Sequence, residues 1–254
     1  MNSKPEAVGP HISIKAEPVL TTGNFHVTNS LLLSIFVFIL FAVGAFLYWQ
    51  SFQSKKKSTF YYLLTYILQE LYKLYESALG DKVSYFFPLV GAFFFYILLN
   101  NWSGLLPGVG SILIKEAGVQ GYHLVPLLRA NTADLNTTIA LALIAMIYIQ
   151  YIGIKTLGIK KYGSKFINFS SPIAFFVGIL EIVSELSRIL SFAFRLFGNI
   201  FAGEVLLAVV AFLIPVLASF PFLLLEVFVG FIQAVVFSML AAVLFRLAVT
   251  EQHH

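Results

Sequence analysis

Three side chains able to carry or steer a charge stand inside one apolar run. They are Arg195, Asn199 and Glu204, downstream of Arg188 in LSRILSFAFRLFGNIFAGE (residues 186–204). A guanidinium keeps its proton at any physiological pH, so Arg195 cannot enter hydrocarbon as a neutral group. Even the lenient insertion scale puts an arginine at a helix centre at about 2.5–3.5 kcal/mol. Such a residue faces protein, water or an ion path. Upstream, Glu181, Ser184, Glu185, Arg188 and Ser191 lead to Arg195 at steps of one, three or four, which places all of them on one helical stripe. On a second apolar run Glu226, Gly230 and Gln233 share a face by the same spacing. Glu185 with Arg188 has the i,i+3 spacing of an ordinary intrahelical ion pair, and Glu181 lies two turns from Arg188 on the same stripe. That explanation is closed to Arg195, which has no acid three or four residues to either side. Its partner comes from another helix, another subunit or water.

Composition then sets the class. The chain is 59% hydrophobic and only 11% charged, with a mean hydropathy of +0.89. Soluble domains carry roughly 25% charged residues. Several apolar runs are long enough to cross ~30 Å of hydrocarbon, so the expected fold is an all-α integral membrane protein. The net charge of +4 comes with two lysine clusters, Lys55–Lys57 and Lys155, Lys160, Lys161 and Lys165, each following an apolar run. That is the positive-inside pattern of cytoplasmic loops, not a nucleic-acid patch. No cysteine is present, and His11, His26, His123, His253 and His254 all lie outside the apolar segments. HExxH, GxSxG and GxxxxGK[ST] are missing too, so no metal, cofactor or nucleotide chemistry is expected of this chain. A secondary ion transporter, the rival reading, would show paired repeats and broken helices, and neither is evident.

The elements that must position these groups follow from run lengths. Residues 1–29 read as an external tail and 30–254 as a single membrane domain. Spans are expected at 30–49, 85–104 and 137–157. Residues 60–79 carry a polar stripe of Thr65, Gln69, Lys73 and Glu76, which suits an interfacial amphipathic helix and equally an ordinary packing helix. Residues 101–136 read as a loop punctuated by Gly and Pro. The last two helices, 173–214 and 222–249, are too long for upright spans; the first would reach ~63 Å if continuous. About five membrane-embedded helices therefore end in a long, strongly tilted hairpin, with Pro215 and Pro221 bracketing its turn. The lysines after the first span put the N-terminus outside. With no evident cleavable signal or transit peptide, a bacterial plasma (inner) membrane is expected, with the thylakoid membrane as the alternative.

The segment LSFAFRLFGNIFAGE resembles the signature of subunit a of F-type ATP synthases. Asn101 to Pro107 (NWSGLLP), Ala133 to Thr138 (ADLNTT) and Phe231 to Ala234 (FIQA) are similar to other segments of that family. The resemblance implies a non-catalytic stator subunit of the Fo sector, with the c-subunit ring, b-type peripheral stalk subunits and the remaining F1Fo subunits as partners. It implies two offset proton half-channels, with Arg195 between them facing a c-ring carboxyl, and coupling of proton flow to ring rotation and ATP synthesis. Glu204 and Glu226 match ionisable positions of the outer half-channel. Asn199 and Gln233 would orient water or the arginine, or else simply pair helices. Asn101 and Asp134 would line the outer entrance, although Asp134 also suits a helix cap. Glu181, Ser184 and Glu185 would belong to the cytoplasmic half-channel. Gly104 departs from relatives that carry an acid there. A sodium-translocating version of the same subunit stays open, because the c subunit largely sets the ion.

Overall fold

The computed structural model describes residues 16–22, 25–106, 108–109, 112–118, 121–167, 171–214 and 219–249. Expectations resting on residues 1–15, Pro107, Pro215 and the last five residues lie outside them. Two short antiparallel hairpins and seven helices follow in order: β1 (Pro18–Thr22), β2 (Phe25–Thr28), α1 (Asn29–Gln53), α2 (Thr59–Leu79), α3 (Val83–Gly104), β3 (Leu113–Gly118), β4 (Gly121–Pro126), α4 (Leu135–Leu157), α5 (Ile159–Gly163), α6 (Pro172–Leu213) and α7 (Ser219–Val249). Among the described residues, five helical stretches are long and apolar enough to cross a bilayer.

Caps set the helix starts. Thr28, Ser58, Asp134 and Ser171 each accept a hydrogen bond from a backbone N–H in the first turn of α1, α2, α4 and α6. Pro172 occupies the first position of α6, where the missing N–H costs nothing. Gly80, at φ 57°, ends α2 in a conformation that only glycine adopts readily.

Helix α7 is the hub, packed against α2, α3, α4 and α6. Its buried residues are Glu226, Gly230, Gln233, Ala234, Phe237, Ser238, Ala241, Ala242 and Phe245, at steps of one, three and four. Gly230, Ala234, Ser238 and Ala242 stand every fourth residue, so one stripe of α7 is nearly flat and neighbouring backbones come close. Between these small residues, Phe237 meets Phe93 of α3 and Phe192 of α6 at 5.6 and 5.0 Å between ring centroids. The Tyr75 hydroxyl of α2 reaches Ser238 Oγ at 2.7 Å. By contrast α1 buries only Asn29, Ser30, Leu33 and Val37. Most of its other apolar side chains, Ile35, Phe36, Phe38 and Ile39 among them, are exposed and suit contact with lipid.

The structure corrects the sequence reading in three places. The tail and the 101–136 loop both contain paired strands, with Leu20 opposite Val27 and Ile114 opposite Val125. Helix α7 starts three residues before the expected 222, so Pro221 sits in its first turn rather than outside it. First-turn N–H groups lack intrahelical acceptors anyway, which is why proline is tolerated there. Lastly, α3 and α4 each begin two residues earlier than expected.

Candidate functional site

A cleft of about 480 Å³ opens between the end of α3, the loop after it, the 126–130 segment, the second half of α6 and the first half of α7. Its polar lining is Glu17, Asn101, Arg129, Glu204 and Glu226. Asn101 is fixed at both ends of its amide: Nδ2 donates to Gly230 O at 2.9 Å, and Oδ1 accepts from Thr132 Oγ1 at 2.7 Å. Gly230 permits that approach, since a Cβ there would lie 3.1 Å from Asn101 Cβ. Trp102 Nε1 adds a bond to Val227 O at 3.0 Å. Together they tie the end of α3 to α7. On the cleft side, Glu226 places its carboxyl against Gly203 of α6, where an added Cβ would sit 2.0 Å from it. The glycine leaves the space that this carboxyl occupies.

The cleft also holds a cation that sequence reasoning did not single out. Arg129 has a side chain only 5% exposed and grips both oxygens of Glu204: Nε lies 3.2 Å from Oε1 and from Oε2, and Nη2 lies 3.1 Å from Oε2. Its guanidinium carbon stands 5.9 Å from the Phe201 ring centre, a cation–π contact. The available signal was a lone arginine in the uncharged stretch LVPLLRANTA. Its acid lies 75 residues away, beyond the reach of local spacing.

Arg195 stands elsewhere. It is exposed, and among the described residues its one hydrogen bond runs from Nη2 to Ser191 Oγ at 3.2 Å. Asn199, Ser191, Leu190 and Phe194 are exposed around it. Phe192, Ala193, Leu196 and Ile200 are buried on the inward side of the helix. Nine residues separate Arg195 from Glu204; at 3.6 residues per turn that is two and a half turns, so the two point to roughly opposite faces. The cleft and Arg195 therefore share a helix without sharing a surface.

A second charged cluster lies near the start of α6. Lys165 Nζ is 2.8 Å from Glu181 and 3.4 Å from Glu185, and Arg188 Nη1 is 2.8 Å from Glu185. The pair at i,i+3 spacing, Glu185 with Arg188, forms, whereas Glu181, seven residues from Arg188, turns to Lys165. Ser184 is half-buried beside them. The connector carrying Lys165 is held down by close packing. A Cβ on Gly178 would be 2.2 Å from Phe166 O, and one on Gly153 would be 2.3 Å from the Tyr162 ring. The Tyr162 hydroxyl donates to Gln150, and burial, with Glu185 and Glu181 nearby, pushes that phenol up to about 12. Gly178→Val is expected to lift this connector, and a thiol reagent should then label a cysteine at Ser184 several-fold faster. Unchanged labelling would show that the connector does not cover the cluster.

A family model described as ATP synthase A chain matches residues 30–246. The chain belongs to the ATP synthase A chain family. It is thus a multi-pass integral membrane subunit of the ATP synthase complex, and its work lies in the proton transport that accompanies ATP synthesis. The structure of this A chain brings Asn101, Glu204 and Glu226 together in the cleft and Glu181, Ser184 and Glu185 together in the second cluster. Gln233 is buried on the α7 face that carries Glu226. Asp134 caps α4 through Asn136 N at 3.0 Å and accepts from Ser30 Oγ at 3.0 Å. It lines a separate, smaller cleft with Tyr96, Asn131 and Thr137. Gly104, in turn, lies so close to Ala130 that a Cβ would come within 2.5 Å of Ala130 Cβ. An acid at this position needs a different path for the 126–130 segment.

Proposed function

We propose that this A chain is the non-catalytic stator subunit that carries protons past the c ring by two offset half-channels. One observation carries the reading: Arg195 lies exposed on α6, nine residues from Glu204 and ten from Glu185. At 1.5 Å per residue those are about 14 and 15 Å along the axis, and the whole interval is about 28 Å of helix length. A charged cluster near one membrane face and a polar cleft near the other are thus separated by a fixed cation. The lysine-rich loops lie at the Glu181 end, which marks it as cytoplasmic in a bacterial plasma membrane; a thylakoid stroma would be its equivalent.

In this reading the outer cleft delivers protons, with Glu226 exchanging them with water and Asn101 and Gln233 holding α3 and α7 in register. A c-subunit carboxyl on the Arg195 face of α6 picks up the proton that the cleft delivers at that end of the helix. It travels with the rotating ring and loses the proton to the cluster of Glu181, Ser184 and Glu185. It then passes Arg195 as a carboxylate, because the guanidinium favours the ionised form. Asn199 shares the exposed face and orients water or the arginine there. The same positive charge opposes a proton crossing directly between the half-channels, so flow requires rotation. The c ring and a b-type stalk are the contacts that the uncovered apolar faces would make.

The natural chain has no cysteine, so single-cysteine probing is clean. Asn199→Cys is expected to form a disulfide with a cysteine beside the carboxyl on a c-subunit helix. Ala208→Cys, which lines the cleft, should instead react with a water-soluble thiol reagent added from outside. Cross-linking of Ala208→Cys but not Asn199→Cys would place the ring on the wrong face and overturn the reading.

A further inference from the structure

Two carboxyl groups meet at the cleft from neighbouring backbone positions: Glu204 on α6, and Glu226, whose carboxyl packs on Gly203. Glu17 lines the same cleft. Oxygen-rich anionic pockets are what hard cations such as sodium or calcium seek, and they bind by direct coordination to carboxylates. In this chain a protein cation already occupies that place. Arg129 contacts both oxygens of Glu204, is fixed by the Phe201 ring, and cannot lose its charge. We infer that Arg129 is a specificity residue of the outer cleft: a built-in counter-ion that closes Glu204 to metal cations and leaves Glu226 to exchange protons with water.

The inference rests on the proposed role of the cleft as the outer proton path. A bidentate guanidinium satisfies the carboxylate geometrically as well as electrically, which a mobile ion must displace in order to bind. A proton needs no such vacancy, because it moves between water and carboxyl oxygens along hydrogen bonds. Removing Arg129 leaves Glu17, Glu204 and Glu226 around one water-filled space, where a metal cation would bind and halt proton exchange.

The test uses the whole synthase in vesicles with the catalytic sector outward, so that the cleft opens to the lumen. Vesicles are loaded with sodium chloride or choline chloride at equal ionic strength, and ATP-driven proton uptake is measured. The unmodified complex is expected to pump equally in both. Arg129→Gln should lose most of its rate with sodium inside and keep it with choline. Arg129→Lys should stay indifferent to sodium. Arg129→Met, whose stem refills the space over Phe201, makes the same comparison where the glutamine variant fails to assemble. The double variant Arg129→Gln/Glu204→Gln, with both partners of the buried pair removed, should assemble and show the same rate in sodium as in choline, whatever that rate is. Sodium-indifferent pumping by assembled Arg129→Gln or Arg129→Met overturns the inference. Loss of pumping in choline and sodium alike also overturns it, because that is the mark of a purely structural role. Neither result bears on Arg195, whose own variants test the half-channel reading separately.

Discussion

Arg195→Ala is expected to abolish ATP-driven proton pumping and ATP synthesis while the subunit still assembles. Assembly survives because the side chain is exposed and its one intramolecular hydrogen bond, to Ser191, is a surface contact. Function is lost because the facing c-subunit carboxyl no longer meets a fixed cation. Two unit charges 4 Å apart interact by about 4 kcal/mol at an effective dielectric of 20. That is about a thousandfold in proton occupancy, at 1.36 kcal/mol per tenfold change. Without it the carboxyl stays protonated as it passes, and no proton is released in step with rotation. Passive proton leak should rise as well, since the barrier between the half-channels is gone. Arg195→Lys should recover only part of the activity: the charge remains, but the planar, multi-donor head is replaced by a point charge on a flexible stem. Pumping by ATP, synthesis under an imposed gradient and passive leak are the three measurements. Coupled pumping retained in Arg195→Ala would remove the central claim.

The second large effect is expected at a residue without a side chain. In Gly203→Val the new Cβ falls 2.0 Å from the Glu226 carboxyl, so the carboxyl must leave its place. The clash is with the end of a flexible side chain rather than with backbone, so the fold adapts and the complex assembles. The proton path does not, because the displaced group is the one assigned to exchange protons with water. Pumping should fall about tenfold or more, the equivalent of ~1.4 kcal/mol on the limiting step. Shortening the opposing side chain should give part of it back: Gly203→Ala/Glu226→Asp is expected to pump faster than Gly203→Ala alone. A double-mutant cycle over these two positions measures the coupling directly. Additive losses would show that the contact between α6 and α7 does not set the position of the carboxyl.

Much of this was legible before any coordinates. Helix lengths followed from apolar run lengths, and the 42-residue α6 was read within a residue of its bounds. The Glu185–Arg188 pair follows from i,i+3 spacing, because both partners ride on one helix. What failed was whatever depends on partners far apart in sequence. Arg129 finds Glu204 only after α4 and half of α6 have folded back. The two hairpins are short strands in segments dense with Gly, Pro and polar residues, where loop composition masks alternation. One feature was readable and passed over: the nine residues between Arg195 and Glu204 already put them on opposite faces.

The unbroken backbone of α6 between Glu185 and Glu204 acts as a gauge. Each residue added or removed there would advance one cluster by 1.5 Å and rotate it by about 100° relative to the other. Apart from Arg188, Arg195, Asn199 and Gly203, side chains along this interval can change in kind within packing limits. The number of residues is not free, since a single insertion between Arg195 and Glu204 would swing the cleft carboxylate away from Arg129 and Glu226. A single insertion between Glu185 and Arg195 would turn Arg195 about 100° relative to Glu181 and Glu185 beneath Lys165. In this chain, the number of residues between the two clusters sets their alignment more strictly than the kind of residue that fills the interval.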